Sequence, residues 1–145
     1  MIRHSIVPFL SLILLATAPA SAAESVSLVL DRNAPALERD AAQELASQWK
    51  QLFGVDVTID EGRPAAGSQV IVLVGSPKTN RAVARVAGRV WPEISDQGVV
   101  IRTIKTAAGR QFVVVGGGSP AATFWAVCEL GHRLGVRYTF RRDFF

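Results

Sequence analysis

The glycine run Gly116–Gly118, followed by Ser119, is the clearest candidate for ligand chemistry in the sequence. It lies between a predicted strand and a predicted helix, where backbone amides at a helix N-terminus can hold a phosphate. The Ser-Pro-Ala that follows breaks a G-x-G-x-x-G pattern, and no G-K-[ST] lysine accompanies the glycines. We therefore interpret the run as a tight structural turn in which glycine supplies positive φ. A small phosphate-ligand-binding enzyme built on this turn stays as an alternative.

Cys128 and His132 are the second candidate pair, because nucleophilic catalysis needs a nucleophile with a base and an orienting group. They lie four residues apart on one predicted helix, a spacing at which side chains can touch. Cys128 falls on the apolar stripe of that helix and His132 beside its edge, so we expect a core cysteine and a boundary histidine. The chain has one cysteine, which excludes an internal disulfide and a multi-cysteine zinc site. The sequence thus predicts no catalytic, cofactor-binding or metal-binding residues.

Paired carboxylates about 5 to 9 Å apart in a cleft would indicate glycoside hydrolysis. No such pair stands out. Asp60 and Glu61 are assigned to a polar loop, and Asp40 and Glu44 to the solvated face of a helix.

Exposed aromatic side chains could form a platform for a sugar ring. Trp49, Phe124 and Trp125 are predicted on or beside apolar helix stripes, and Trp91 is predicted in a loop with core packing as its favoured role. These placements argue against a free-standing secreted glycan-binding module, which is kept as the first alternative, ahead of the phosphate-ligand enzyme.

The first 23 residues have the plan of a secretory signal peptide. A basic lead that contains Arg3 precedes an apolar run and a segment of small residues, with cleavage expected near Ala23. The apolar run is shorter than the roughly 20 residues of a membrane span. We predict a signal peptide over 1–23, one domain over 24–145, a secreted or periplasmic location, and no membrane association after cleavage.

The net charge of +4 is a mild bias, and loss of Arg3 with the signal would leave about +3. The basic residues are scattered along the chain and form no dense run. Nucleic acid is therefore not an expected partner.

Two strong helices and several short strands should position these residues. One helix is predicted over 34–53, with an apolar stripe of Leu37, Ala41, Leu45, Trp49 and Leu52. Another is predicted over 119–134, with Ser119 as N-cap and a stripe of Phe124, Val127, Cys128, Gly131 and Leu134. A short helix is predicted over 80–88. Strands are predicted over 26–30, 55–59, 70–74, 98–104, 111–115 and 136–140. The expected class is α/β (an α+β sandwich), a mixed sheet of five to six strands on which the two main helices pack together.

The order of these segments resembles a known domain. The segments are VIVLVGS (70–76), QGVVIRT (97–103), VVVGG (113–117), FWAVCEL (124–130) and LGVRY (134–138), preceded by AAQEL (41–45). Together they resemble the non-catalytic N-terminal domain of α-glucuronidases of glycoside hydrolase family 67. That domain is similar in turn to the one preceding the barrel in β-N-acetylhexosaminidases. Ala122 departs from the glycine usual there, which implies an altered entry into the last helix.

The resemblance implies an accessory domain of a secreted carbohydrate-active enzyme active in polysaccharide degradation. Family members continue into a (β/α)₈ barrel that carries the catalytic carboxylates, and the present sequence is expected to lack that barrel. Aromatic residues beside arginines are enriched at interface cores. We therefore expect a barrel to dock at the C-terminal end, through Tyr138, Phe140, Phe144 and Phe145, and carbohydrate is a further expected ligand.

Overall fold

The computed structural model describes residues 24–136, which form an α/β fold of five strands and three α-helices. In chain order the elements are β1 (Ser25–Leu30), α1 (Ala36–Phe53), β2 (Asp56–Glu61), β3 (Val70–Val74), α2 (Arg81–Ala87), β4 (Val99–Lys105), β5 (Gln111–Gly117) and α3 (Pro120–Arg133). A 3₁₀ turn, Gly88–Val90, follows α2. The predicted fold class is confirmed. The predicted signal peptide and the predicted docking residues Tyr138, Phe140, Phe144 and Phe145 lie outside the described residues, as does the predicted strand 136–140 beyond Val136.

The strands form one mixed sheet in the order β2-β1-β3-β5-β4. The first four strands in this order are parallel, with Leu28 opposite both Ile59 and Val72. β4 runs antiparallel to β5, with Ile101 opposite Val115. The predicted hairpin loop between them is confirmed by Thr106 N–H, which donates to the carbonyl of Arg110 at 2.8 Å.

Successive side chains of the central strands point to opposite faces of the sheet, so one sheet supports two separate cores. Leu28, Val72 and Val115 face α1 and α3, while Val29, Leu73 and Val114 face α2. α1 and α3 also pack against each other, as predicted. Each fully buried Val or Leu stabilises the fold by about 1.5–3 kcal/mol relative to exposure. Burial on both faces explains why β3 is apolar throughout.

The buried face of α1 differs from the predicted stripe. Leu37 and Leu52 are 46% and 45% exposed, whereas Glu38 and Gln48, predicted on the polar face, are buried. The buried positions Ala34, Glu38, Ala41, Leu45 and Gln48 recur at steps of four and three, which follow the helix period of 3.6 residues. Repeated steps of four rotate about 40° each around the axis, so a stripe built on them leaves the core at its ends.

α3 begins as predicted, with Ser119 as N-cap and Pro120 at the first helical position. Its buried face consists mainly of small residues: Ala122, Thr123, Ala126, Val127 and Gly131. Small side chains at a helix contact allow the two axes to approach closely. The core placement of Trp125 and Leu134 was wrong, because both are exposed.

Candidate functional site

The three glycines 116–118 lie where backbone segments meet without room for a side chain. A Cβ atom on Gly116 would be 2.0 Å from the carbonyl oxygen of Gly75, and one on Gly118 would be 2.0 Å from that of Ser95. A Cβ atom on Gly117 would be 2.5 Å from the Cβ of Ala122. None of the three has positive φ. The structural role was predicted, but the prediction of a turn with positive φ was wrong, because Gly116 and Gly117 are the last residues of β5 and only Gly118 lies after the strand. The glycines are required by close approach, and Gly117 also leaves space for Ala122.

Three hydrogen-bond donors at the start of α3 have partners within the protein. Gly118 N–H donates to the carbonyl of Gly98 at 3.0 Å. Ala122 N–H donates to the Ser119 hydroxyl at 3.1 Å, and that hydroxyl donates to the carbonyl of Asp96 at 2.7 Å. These donors are not available to a phosphate, because a bound phosphate would have to replace the hydrogen bonds that hold the loop in place. This observation counts against the phosphate-binding alternative.

Cys128 and His132 were predicted as a core cysteine and a boundary histidine on α3. Cys128 is half-buried, so its placement in the core was only partly right, and His132 is exposed. Within residues 24–136, no group of three or more His, Cys, Asp or Glu side chains could hold a metal ion.

Asp60 and Glu61 are the last residues of β2 and not part of a loop, so that assignment was wrong. Asp60 Oδ2 accepts from the Ser27 hydroxyl at 2.5 Å, the Thr58 hydroxyl at 2.7 Å and the backbone N–H of Ala65 at 3.2 Å. Burial acts to raise the pKa of Asp60, but these three donors outweigh it and the pKa is lowered. Glu61 instead pairs with Arg39 at 3.1 Å. These contacts attach the loop that follows β2 to the sheet.

Asp40 is exposed, as its placement on the solvated face of α1 requires. Glu44 on the same helix is half-buried and accepts from the Gln48 amide at 2.7 Å. Neither residue belongs to a cleft with a second carboxylate.

Glu38 is a buried carboxylate that the sequence analysis placed on the polar face of α1. Its side chain is fully buried, and Oε1 accepts from the Thr79 hydroxyl at 2.8 Å and the Thr123 hydroxyl at 3.3 Å. Within residues 24–136, Oε2 has no hydrogen-bond partner. Burial raises the pKa of Glu38, and the two hydroxyls offset only part of that effect. Its spacing of four residues from Ala34 and three from Ala41 was the available signal.

Asn80 joins the carboxyl ends of two strands. Its amide nitrogen donates to the carbonyls of Val29 at 2.9 Å and Val74 at 2.8 Å, and its oxygen accepts from Ala82 N–H at 2.8 Å. Ligands of open α/β sheets bind at the carboxyl ends of the strands. In this protein, the side chains of Asn80 and Glu38 fill that position.

Asp31 follows β1 and pairs with Arg81, whose Nε lies 2.9 Å from Oδ2. The hydrogen bond from Arg81, followed in importance by the one from Asn33 N–H, holds the pKa of Asp31 well below its usual range. This ion pair connects the end of β1 to the start of α2.

The tryptophans have three different environments. Trp49 and Trp91 are half-buried and pack against the two cores, as predicted. Trp125 on α3 is 51% exposed. One exposed indole is available on the described surface, on the side of the sheet that carries α1 and α3.

Two adjoining cavities of about 430 and 470 Å³ lie on the opposite side of the sheet, between residues 62–68 and α2. Gly62, Arg63, Ala82 and Arg85 line both of them, so the two cavities are neighbours. We refer to these two adjoining cavities, with the arginines around them, as the arginine groove. Its shape depends on the connection from β2 to β3, which passes β1 without a helix.

No protein-family model and no curated protein matches the sequence. Among solved structures, the chain is similar to BtGH115A, a family GH115 4-O-methyl-α-glucuronidase with specificity for decorated arabinogalactans. The TM-score is 0.56 at 15% identity, over 79% of this chain and 14% of that one. It is also similar to CpGH84D, at a TM-score of 0.49 and 10% identity, over 74% of this chain and 17% of that one.

The domain has a fold that occurs in glycoside hydrolase chains. It spans less than a fifth of either of these chains. Within residues 24–136, no helix combines the length and apolar character needed to cross a membrane.

Proposed function

We propose that this domain is a non-catalytic accessory domain of a secreted carbohydrate-active enzyme of the α-glucuronidase or β-N-acetylhexosaminidase type. The observation that carries the proposal is the fold it shares with a GH115 α-glucuronidase, over 79% of this chain but only 14% of that one. In that enzyme the matching segment is a small part of the chain. Our proposal assigns catalysis to a different domain or chain.

Four of the carboxylates within residues 24–136 support a non-catalytic role. Glycoside hydrolysis needs two carboxyl groups facing a cleft with a sugar between them. Asp60, Glu61 and Asp31 are each held by donors of their own, and Glu38 is sealed in the core. None of them is free to meet a glycosidic bond.

The finer assignment to the family 67 domain rests on the order of the sequence segments between 41 and 138. Secretion rests on the pattern of residues 1–23. Mass spectrometry of the exported protein should find an N-terminus near Ala23, and an intact Met1 on protein retained in the cytosol would contradict export.

An activity assay tests the main proposal. Purified protein from residue 24 onward is incubated with aryl glucuronides and aryl N-acetylhexosaminides, beside an active α-glucuronidase as positive control. We expect no turnover above the buffer blank. Turnover that elutes with the protein through two different chromatographic steps would overturn the non-catalytic assignment.

Trp125 favours one second candidate, a free-standing secreted glycan-binding module. A half-exposed indole can stack on the apolar face of a sugar ring. Affinity electrophoresis in unsubstituted xylan and soluble chitin distinguishes the two functions. A binding module would be retarded by the glycan and released by Trp125→Ala, whereas an accessory domain would migrate as it does without glycan.

A further inference from the structure

The arginine groove carries an excess of positive charge that the fold itself does not use. Arginines around it come from several parts of the chain: Arg32, Arg63, Arg81, Arg85 and Arg110. The two carboxylates on its lining, Asp31 and Glu61, are already paired with Arg81 and Arg39. Within residues 24–136, no carboxylate pairs with Arg63 or Arg85. We propose that the arginine groove binds an acidic oligosaccharide, whose carboxylates are met by Arg63 and Arg85.

Guanidinium groups suit this ligand because they donate two parallel hydrogen bonds to one carboxylate. Arg63 and Arg85 line both cavities and come from different elements, the β2–β3 connection and α2. Two such groups from separate walls could hold carboxylates on successive sugar units. A single inorganic anion would occupy only a small part of a groove in which each cavity exceeds 400 Å³.

Part of the groove is apolar, which matches the C–H face of a pyranose ring. Leu73, Val86 and Phe112 line one of the two cavities. Arg110 lies over the ring of Phe112, with its guanidinium carbon 5.6 Å from the ring centre. Small-molecule sites combine such an apolar lining with a few placed polar groups.

The wall formed by residues 62–68 is held in place before any ligand binds. Gly62 N–H donates to the carbonyl of Leu30 at 2.7 Å, and Ala65 N–H donates to Asp60 at 3.2 Å. The Ser68 hydroxyl donates to the carbonyl of Ala65 at 2.9 Å. A preformed wall lowers the ordering cost of binding.

The choice of a sugar as carrier of the carboxylates rests on the proposed carbohydrate-associated function, whereas the anion preference rests on the groove alone. The closing experiment separates these two parts. Isothermal titration calorimetry at low and high salt uses four probes: trigalacturonate, its fully methyl-esterified form, inorganic phosphate, and a short single-stranded DNA. The double variant Arg63→Gln, Arg85→Gln removes the two guanidinium groups that are proposed to bind the carboxylates. Arg89→Gln is the matched control, since Arg89 is exposed just after α2 and lines neither cavity.

We expect trigalacturonate to bind, with affinity reduced about tenfold or more in the double variant and changed less than about twofold in Arg89→Gln. The esterified trimer should not bind, because it keeps the ring and loses the charge. The proposal that the arginine groove is an anion-binding site would be overturned by either of two results. One is absence of trigalacturonate binding, and the other is equal binding by the wild type and the double variant. Phosphate or DNA binding as tightly as trigalacturonate would overturn the sugar assignment. None of these outcomes depends on the glycosidase assay, so failure here and failure of the proposed function are distinguishable.

Discussion

Gly116 lies where β5 packs closely against the loop after β3, and a Cβ atom there would be 2.0 Å from the carbonyl oxygen of Gly75. Backbone must move to admit even a methyl group. We expect Gly116→Ala to lower the free energy of unfolding by about 3 kcal/mol or more. The measurement is urea denaturation followed by circular dichroism.

Gly88→Ala is the matched control for this change. Gly88 has right-handed helical backbone, with φ at −55°, and a Cβ atom added to it would have no other atom within 4 Å. Alanine there should leave stability unchanged or raise it by up to about 1 kcal/mol. Equal urea midpoints for Gly116→Ala and Gly88→Ala would contradict the close approach.

Glu38 is a buried carboxylate whose charged form is disfavoured by desolvation. Its pKa is raised by burial, so the folded state holds a proton more tightly than the unfolded chain does. The stability it contributes is fully present below the unfolded pKa of about 4.5 and is lost as pH rises through the higher folded pKa. Glu38→Gln removes the titration and keeps an oxygen that can accept from Thr79. The stability of Glu38→Gln relative to the wild type should therefore increase as pH rises from about 4 to about 8.

Chemical denaturation at about pH 4, 6 and 8 measures this trend. Asp40→Asn removes a carboxylate from the exposed face of the same helix and should show no comparable trend. A stability difference between Glu38→Gln and the wild type that stays constant over this range would refute the role of Glu38.

At the scale of elements, Asn80 connects β1, β3 and α2 through one amide group. Asn80→Asp keeps the size of the side chain but removes both donors and places a carboxylate against the carbonyls of Val29 and Val74. Unsatisfied buried groups cost about 1–3 kcal/mol each. We expect a loss of about 3 kcal/mol or more, seen as a lower thermal midpoint.

Asn33→Asp makes the same chemical change at an exposed position in the loop after β1 and serves as control. We expect Asn33→Asp to retain a thermal midpoint close to that of the wild type. Retention of the wild-type midpoint by Asn80→Asp would show that the strand ends do not depend on this amide.

For the molecule as a whole, the expected C-terminal docking surface stays a prediction, since its residues lie outside the described part of the chain. Aromatic residues next to arginines are typical of interface cores. The double change Phe144→Ser, Phe145→Ser should weaken self-association or binding to a separately expressed α-glucuronidase barrel. Analytical ultracentrifugation of the protein with and without the barrel measures both. The prediction of a C-terminal docking surface would be refuted if the protein is a monomer and does not bind the barrel, either with or without the two substitutions.

The elements of this fold could be predicted from the sequence because their signals are local. The apolar run 70–74 marks a strand covered on both faces, and Ser119 followed by Pro120 marks a helix start. Alternation, helix period and turn residues all act within a few neighbours along the chain. These signals were enough to predict the mixed sheet and the joint packing of the two main helices.

Only the tertiary structure decided which polar side chains are buried and where a ligand could bind. Thr79 and Thr123 reach Glu38 from 41 and 85 positions away, and Asn80 reaches Val29 from 51. The arginine groove likewise brings together Arg63, from the β2–β3 connection, and Arg85, from α2. A local pattern classed Glu38 as solvated because it is charged, whereas hydrogen bonds from two distant hydroxyls partly offset the cost of burying it. Contacts of that range arise from chain topology, which no short window of sequence contains.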